Sequence, residues 1–183
     1  LSGRVSVEDI PSGHRHLTTV MDAMTDNYEI VIRYRKYTSS EEDTYTIRPY
    51  AVKEFAKRWY IVGYCLERKA LRVYGLDRVT GLDITEKTFR MPHGFDIDEL
   101  FSTSFGIYLP EGRGETIRFR VSETEARYLR DLPIHPSQKE VGTIGRPHSG
   151  IEVTFEIFAC PNKALVMEFC KHGSRLEVLS PKH

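Results

Sequence analysis

Arg58-Trp59-Tyr60-Ile61-Val62-Gly63-Tyr64-Cys65 is the most strand-prone stretch of the chain, an aromatic and β-branched run with little helix-forming weight. Its flanks repeat the signal. After the charged turn Glu67-Arg68-Lys69, Ala70-Leu71-Arg72-Val73-Tyr74-Gly75-Leu76 reads as the return strand, and Gly81 to Phe89 as a further one. Upstream, Ile30 and Ile32 alternate with polar residues in Glu29-Ile-Val-Ile-Arg-Tyr-Arg35, as in a strand buried on one face. A polar turn at Ser39-Ser40-Glu41-Glu42-Asp43 leads into Thr44-Tyr45-Thr46-Ile47-Arg48, which is expected to stop at Pro49. Five short strands within about sixty residues predict a small β-barrel.

Ahead of the strands, Leu17, Val20, Met21 and Met24 share one face of a helix expected within residues 1–27, an amphipathic element that needs a partner surface. Beyond them, Phe95 to Phe101 suits a short helix, and Ser102 to Gly114 is rich in small, turn-forming residues. The expected domains are therefore a helix and linker at 1–27, a barrel at 28–93, a linker at 94–114 and a second module at 115–183. That module reads as strand Glu115 to Val121, helix Ser122 to Leu132, strands Gln138 to Ile144 and Gly150 to Phe158, helix Asn162 to His172, and strand Ser174 to Leu179. Ser122-x-x-Glu125 has the form of a capping box, and Asn162 that of an N-cap. The order β-α-β-β-α-β predicts a ferredoxin-like fold, so the chain as a whole is expected to be α+β.

Composition excludes more than it selects. Lys+Arg and Asp+Glu each number 26 in 183 residues, so no global field draws the chain to a polyanion, and any such contact requires a local patch. Glu29 to His93 holds 13 basic and 9 acidic residues, against one and four in Gly94 to Gly114. Cys65, Cys160 and Cys170 form no CxxC pair and suit small buried hydrophobes in a reducing cytosol. No apolar run matches a membrane span and no signal peptide opens the chain, so the expected location is cytoplasmic, without membrane partners.

Ile47-Arg48-Pro49-Tyr50, Arg58-Trp59-Tyr60-Ile61-Val62-Gly63-Tyr64 and Arg72-Val73-Tyr74-Gly75-Leu76-Asp77-Arg78-Val79, in that order and at short spacing, closely resemble the WYL domain family, with Ile61 in place of the eponymous leucine. The resemblance spans roughly Tyr28 to Pro92, and the tail from Glu115 is similar to the WCX extension that often follows. It implies an Sm-like or SH3-like barrel in a bacterial transcriptional regulator, with DNA read by a domain upstream of Leu1. The opening Leu, where a complete chain has Met, agrees with such a domain. In some members the barrel binds a nucleotide or single-stranded nucleic acid effector.

The family's basic patch falls on Arg72 and Arg78. Both have even numbers, so a regular strand would aim them to one face about 20 Å apart unless a bulge intervenes. Two such arginines could grip successive phosphates, or Arg78 could instead pair with Asp77. Tyr60 and Tyr45 offer faces on which a base could stack, against the alternative of half-buried packing, and Arg48 completes the candidate set. Trp59 reads as core. In the second module Arg118 and Arg120 share strand parity, and Arg146 and His148 lie in a loop that could close over an anion or be solvated surface.

No phosphate-binding glycine loop, His-Glu-x-x-His or Gly-x-Ser-x-Gly is present, so no enzyme, metal or cofactor is expected. His14-x-His16 lacks further ligands to complete a metal shell, and Asp96, Asp98 and Glu99 suit the dipole at a helix start. Two other functions stay open: a homodimerisation module built on the helix stripe and exposed strand edges, and an RNA-binding barrel.

Overall fold

A computed structural model describes residues 14–37, 41–146 and 150–181, so the turn at 39–40 and His148 lie outside the described residues, as does the side chain of Arg146. The chain divides into two compact units, Leu1–Phe95 and Asp96–His183. Both are α+β, and strands dominate.

The first unit runs α1 (His14–Thr25), β1 (Tyr28–Arg35), β2 (Glu42–Phe55), β3 (Arg58–Cys65), β4 (Ala70–Gly75), a 3-10 turn (Leu76–Arg78) and β5 (Val79–Thr88). The strands form one antiparallel sheet in the order β4-β3-β2-β1-β5. All five expected strands are present, but the closed barrel is not. The chain leaves β4 through the 3-10 turn and enters β5 already paired to β1, Val79 opposite Tyr34, so no β4–β5 ladder forms among the described residues.

Period-two alternation sends Ile30, Ile32 and Tyr34 of β1 inward with Tyr45 and Ile47 of β2. Helix α1 covers this face with Val20 and Ala23, flanked by Leu17 and Met24. Met21, expected in the stripe, is 52% exposed. Ala23 takes its place, because a small side chain lets the helix lie closer to the sheet. Trp59 packs at the margin of this core and donates its indole N–H to His14 Nε2 at 3.0 Å.

Strand β2 does not stop at Pro49. It continues to Phe55, with a register shift between Pro49 and Ala51 against β3. The last described β1 partner on β2 is Ile47, so Pro49 sits where one side of the strand is already unpaired, and its missing N–H breaks no ladder there.

The second unit begins with α2 (Ile97–Phe101), a single turn capped by Asp96, whose carboxylate accepts from the amides of Asp98 and Glu99 at 2.8 and 2.9 Å. It continues as β6 (Glu115–Ser122), α3 (Glu123–Asp131), β7 (Lys139–Arg146), β8 (Gly150–Ala159), α4 (Lys163–Lys171) and β9 (Leu176–Ser180). The sheet is antiparallel in the order β7-β8-β6-β9. Ile117, Phe119 and Val121 of β6 and Val153, Phe155 and Ile157 of β8 form its core, together with Ala126, Leu129 and Leu165 from the helices.

Both N-caps form: Ser122 Oγ accepts from Glu125 N–H at 3.3 Å, and Asn162 Oδ1 from Leu165 N–H at 2.9 Å. The reciprocal half of the expected capping box does not. The Glu125 carboxylate is buried and takes His172 Nδ1 at 2.7 Å and Arg175 Nη1 at 3.0 Å, tying α3 to the turn after α4. The charged Arg175 guanidinium, a stronger donor than a backbone amide, helps draw it away from the backbone.

His135, 2% exposed, joins the segment after α2 to the sheet. Its Nε2–H donates to the Ser104 carbonyl at 3.2 Å, while Nδ1 accepts from the Ser137 hydroxyl at 2.7 Å. Burial holds its pKa below the usual 6.5. As pH falls below about 6.5 the unfolded chain takes up a proton that the folded ring resists, so stability is full above that value and is lost as pH drops toward the lowered one. The urea midpoint of the second unit is expected to fall between about pH 7 and 5.5, and His135→Gln to flatten that slope. An equal slope in the variant would contradict this account of His135.

Candidate anion-binding site

Arg78 stands at the end of the 3-10 turn that follows β4. Its guanidinium carbon lies 4.9 Å from the centroid of Tyr34 and 4.6 Å from that of Tyr37. Stacking on two rings fixes the guanidinium by cation–π attraction while its N–H donors stay available. Among the described residues no carboxylate approaches Arg78 within salt-bridge distance. Asp77, its sequence neighbour, pairs instead with Arg58 at 3.0 Å.

The hairpin explains that choice. Tyr60 pairs with Gly75 and Ile61 with Tyr74, so the same register carried two residues further sets Arg58 opposite Asp77. Gly75 leaves room at the corner. A Cβ there would lie 2.6 Å from Asp77 Oδ1 and 3.4 Å from Arg78 Nε, so a larger residue would push the Asp77 carboxylate out of its present position. Tyr37 closes the cluster: Arg58 Nη1 donates to its hydroxyl at 2.9 Å, and that hydroxyl donates to Asp77 Oδ2 at 3.4 Å. Tyr37 is 73% exposed, whereas Tyr34 is buried and its phenol is pushed up to about 12 by burial, so it remains neutral.

The other expected residues fall in different places. Arg72 is exposed on β4, opposite Gly63, and bonds only the carbonyl of Leu71, at 3.2 Å, among the described residues. The shared-face argument linking it to Arg78 fails, because the strand ends at Gly75 and the 3-10 turn resets side-chain direction. Tyr45 and Tyr60 are 5% and 8% exposed, and so take the packing alternative rather than offering a face to a base. Tyr45 forms an aromatic trio with Tyr34 and Tyr74, at 6.4 and 5.3 Å, and burial raises the Tyr60 phenol. Arg48 Nε donates to the buried carboxylate of Glu29 at 2.8 Å, a structural pair.

In the second unit Arg118 pairs with Glu156 at 2.9 Å, and Arg120 with both Glu152 and Glu177, so their charge is already neutralised across the sheet. Among the described residues no group of His, Cys, Asp or Glu could hold a metal ion, and no helix is long and apolar enough to cross a membrane.

Composition and periodicity did not point to Arg58, Asp77 as its partner, or the Tyr34–Tyr37 platform. The hairpin register was the signal that could have paired Arg58 with Asp77. Nothing local in the sequence marks two tyrosines three residues apart as a cation shelf.

Helix-capped and open-edged, the first unit is a small five-stranded antiparallel module carrying an arginine–tyrosine cluster at one hairpin end. Residues 15–84 match the WYL domain family model. The match begins inside α1, so that helix is part of the family pattern. Among solved structures the chain is similar to proteasome accessory factor B/C (PafBC) of Arthrobacter aurescens, at 18% identity and a TM-score of 0.43, covering 98% of this chain and 26% of that one. It is also similar to a CRISPR Cas-related protein, at 18% identity and a TM-score of 0.45, covering 90% of this chain and 46% of that one. The chain thus spans less than half the length of either. No curated protein matches it.

Proposed function

We propose that this chain is the effector-sensing part of a bacterial transcriptional regulator, and that its WYL domain takes an anionic ligand, a nucleotide or single-stranded nucleic acid, at Arg78. The observation that carries the reading is the Arg78 guanidinium, held on Tyr34 and Tyr37 with no carboxylate partner among the described residues. A positioned cation without a counter-ion suits phosphate, and the exposed Tyr37 ring beside it suits a base. Arg72, exposed on the adjoining strand, serves a neighbouring phosphate.

In this reading the first sheet is an Sm-like barrel open along β4 and β5, and the second unit is the WCX extension with a ferredoxin-like fold, supported by its strand order β7-β8-β6-β9. The protein acts in the cytoplasm as a homodimer, contacts DNA through a domain upstream of Leu1, and performs no catalysis. The dimerisation-only reading loses support from α1, since Leu17, Val20 and Met24 of its stripe pack on its own sheet and Met21 alone of the four is exposed.

The test is a titration with a short fluorescent single-stranded oligonucleotide. Arg72→Ala plus Arg78→Ala is expected to weaken binding at least about 30-fold, as the loss of roughly 2 kcal/mol of charge-assisted hydrogen bonding implies. The melting temperature should change little, since neither side chain is a core residue. Unchanged affinity in the double variant would sink the proposal.

A further inference from the structure

Arg58, Asp77 and Arg78 meet at the end of the β3–β4 hairpin, and the carboxylate there is committed to one arginine. Asp77 Oδ2 lies 3.0 Å from Arg58 Nη1, with its side chain only 9% exposed, while Arg78 lies on the tyrosines instead. The Tyr37 hydroxyl joins both members of the Arg58–Asp77 pair, and the Tyr37 ring carries Arg78. One aromatic side chain thus couples a neutralised cation to an open one.

We propose that Asp77 sets the charge selectivity of the Arg78 site: it is a built-in counter-anion that cancels Arg58 and leaves the trio one net positive charge, matched to a singly charged phosphodiester. The proposal rests on the anion-binding reading above and goes beyond it, because it assigns a role to an acidic residue that a basic-patch view would count against binding. In a half-buried setting screening is weak, so the net charge of the trio governs which anions enter. A multiply charged anion such as pyrophosphate meets a site with too little positive charge for it. Removing the carboxylate frees Arg58 as a second cation. Removing Arg58 turns Asp77 into an uncompensated negative neighbour of Arg78.

The experiment is calorimetric titration of the 183-residue chain with pyrophosphate and with a dinucleotide holding one phosphodiester. Asp77→Asn is expected to bind pyrophosphate about tenfold more tightly, with a smaller gain for the dinucleotide, and Arg58→Gln to bind both about tenfold more weakly. The double variant Arg58→Gln, Asp77→Asn restores the net charge of the trio with a neutral pair. It should return to within about threefold of the original affinities. Comparing the double variant with the unsubstituted chain decides the matter even where a single variant, left with an unpaired charge, melts early. A double variant as weak as Arg58→Gln was expected to be would mean that Arg58 grips the ligand directly, and overturns the proposal. So does an Asp77→Asn protein that folds but gains nothing for pyrophosphate. Arg78→Ala measured alongside separates the two levels: lost binding in Arg78→Ala with a failed charge cycle overturns only the role of Asp77, whereas unchanged binding in Arg78→Ala overturns both.

Discussion

Gly63→Val is expected to prevent the first unit from folding. Gly63 lies in the middle of β3, between Pro49 of β2 and Arg72 of β4. A Cβ at this position would sit 2.4 Å from the carbonyl oxygen of Arg48, 2.8 Å from Ile47 Cγ2 and 3.1 Å from the Arg48 carbonyl carbon. Two of those three atoms belong to backbone, which no rotamer change can move aside. Relief requires β2 and β3 to separate at the register shift beside Pro49, and that would break the ladder holding β3 and the hairpin beyond it. Inserting even a small side chain into a packed interior costs roughly 1–3 kcal/mol. Valine, branched against a backbone wall, should exceed that range and consume most of the 5–15 kcal/mol typical of a folded domain. Trp59, the chain's single tryptophan, lies four residues away on the same strand and reports the outcome by fluorescence. A cooperative Trp59 transition in the variant, shifted by less than about 1 kcal/mol, would contradict the close approach on which this expectation rests.

Phe119→Ala should have a comparable effect on the second unit. Phe119 is fully buried on β6, the strand between β8 and β9, with ring centroids 5.8 Å from Phe155 and 5.3 Å from Phe169. It therefore bridges the sheet to α4. Truncation removes the transfer free energy of a whole ring and leaves a cavity that two strands and a helix cannot close, a loss of about 3–5 kcal/mol. For a unit of this size that corresponds to a fall of roughly 15–25 °C in melting temperature. Hydrogen exchange at the β6 and β8 amides measures it locally, and a loss under about 1 kcal/mol would mean the ring is not the keystone of this core.

The two halves of the molecule were unequally legible. In the second unit strand and helix periods alternate cleanly, and the caps at Ser122 and Asn162 mark both longer helix starts, so its elements fall close to where they are expected. The first unit was legible as strands but not as a closed surface. Closure depends on how β4 and β5 pass each other, which a three-residue 3-10 turn determines and hydropathy does not encode. Pro49 misled for a related reason: proline ends a strand only where its N–H is needed, and that depends on which neighbours the sheet supplies.

At the site, residue type picked out Arg78 but not its surroundings. Arg48, Arg118 and Arg120 look like Arg78 in the sequence. What separates them is whether a carboxylate arrives from another strand, and it does so for Arg48 from Glu29, for Arg118 from Glu156 and for Arg120 from Glu152 and Glu177. Tyr45 and Tyr60 likewise share the composition of a stacking surface while their strand parity turns them inward, leaving Tyr37, just past the end of β1, as the exposed ring of the cluster.

The most direct test of the central claim is a nitrogen-15 NMR titration that follows the arginine Nε–Hε signals while a short single-stranded oligonucleotide is added. Anion capture at the first unit predicts that the Arg78 signal shifts most, with Arg72 next and with Arg48, Arg118 and Arg120 nearly still. An Arg78 signal that stays in place while arginines of the second unit move would contradict it.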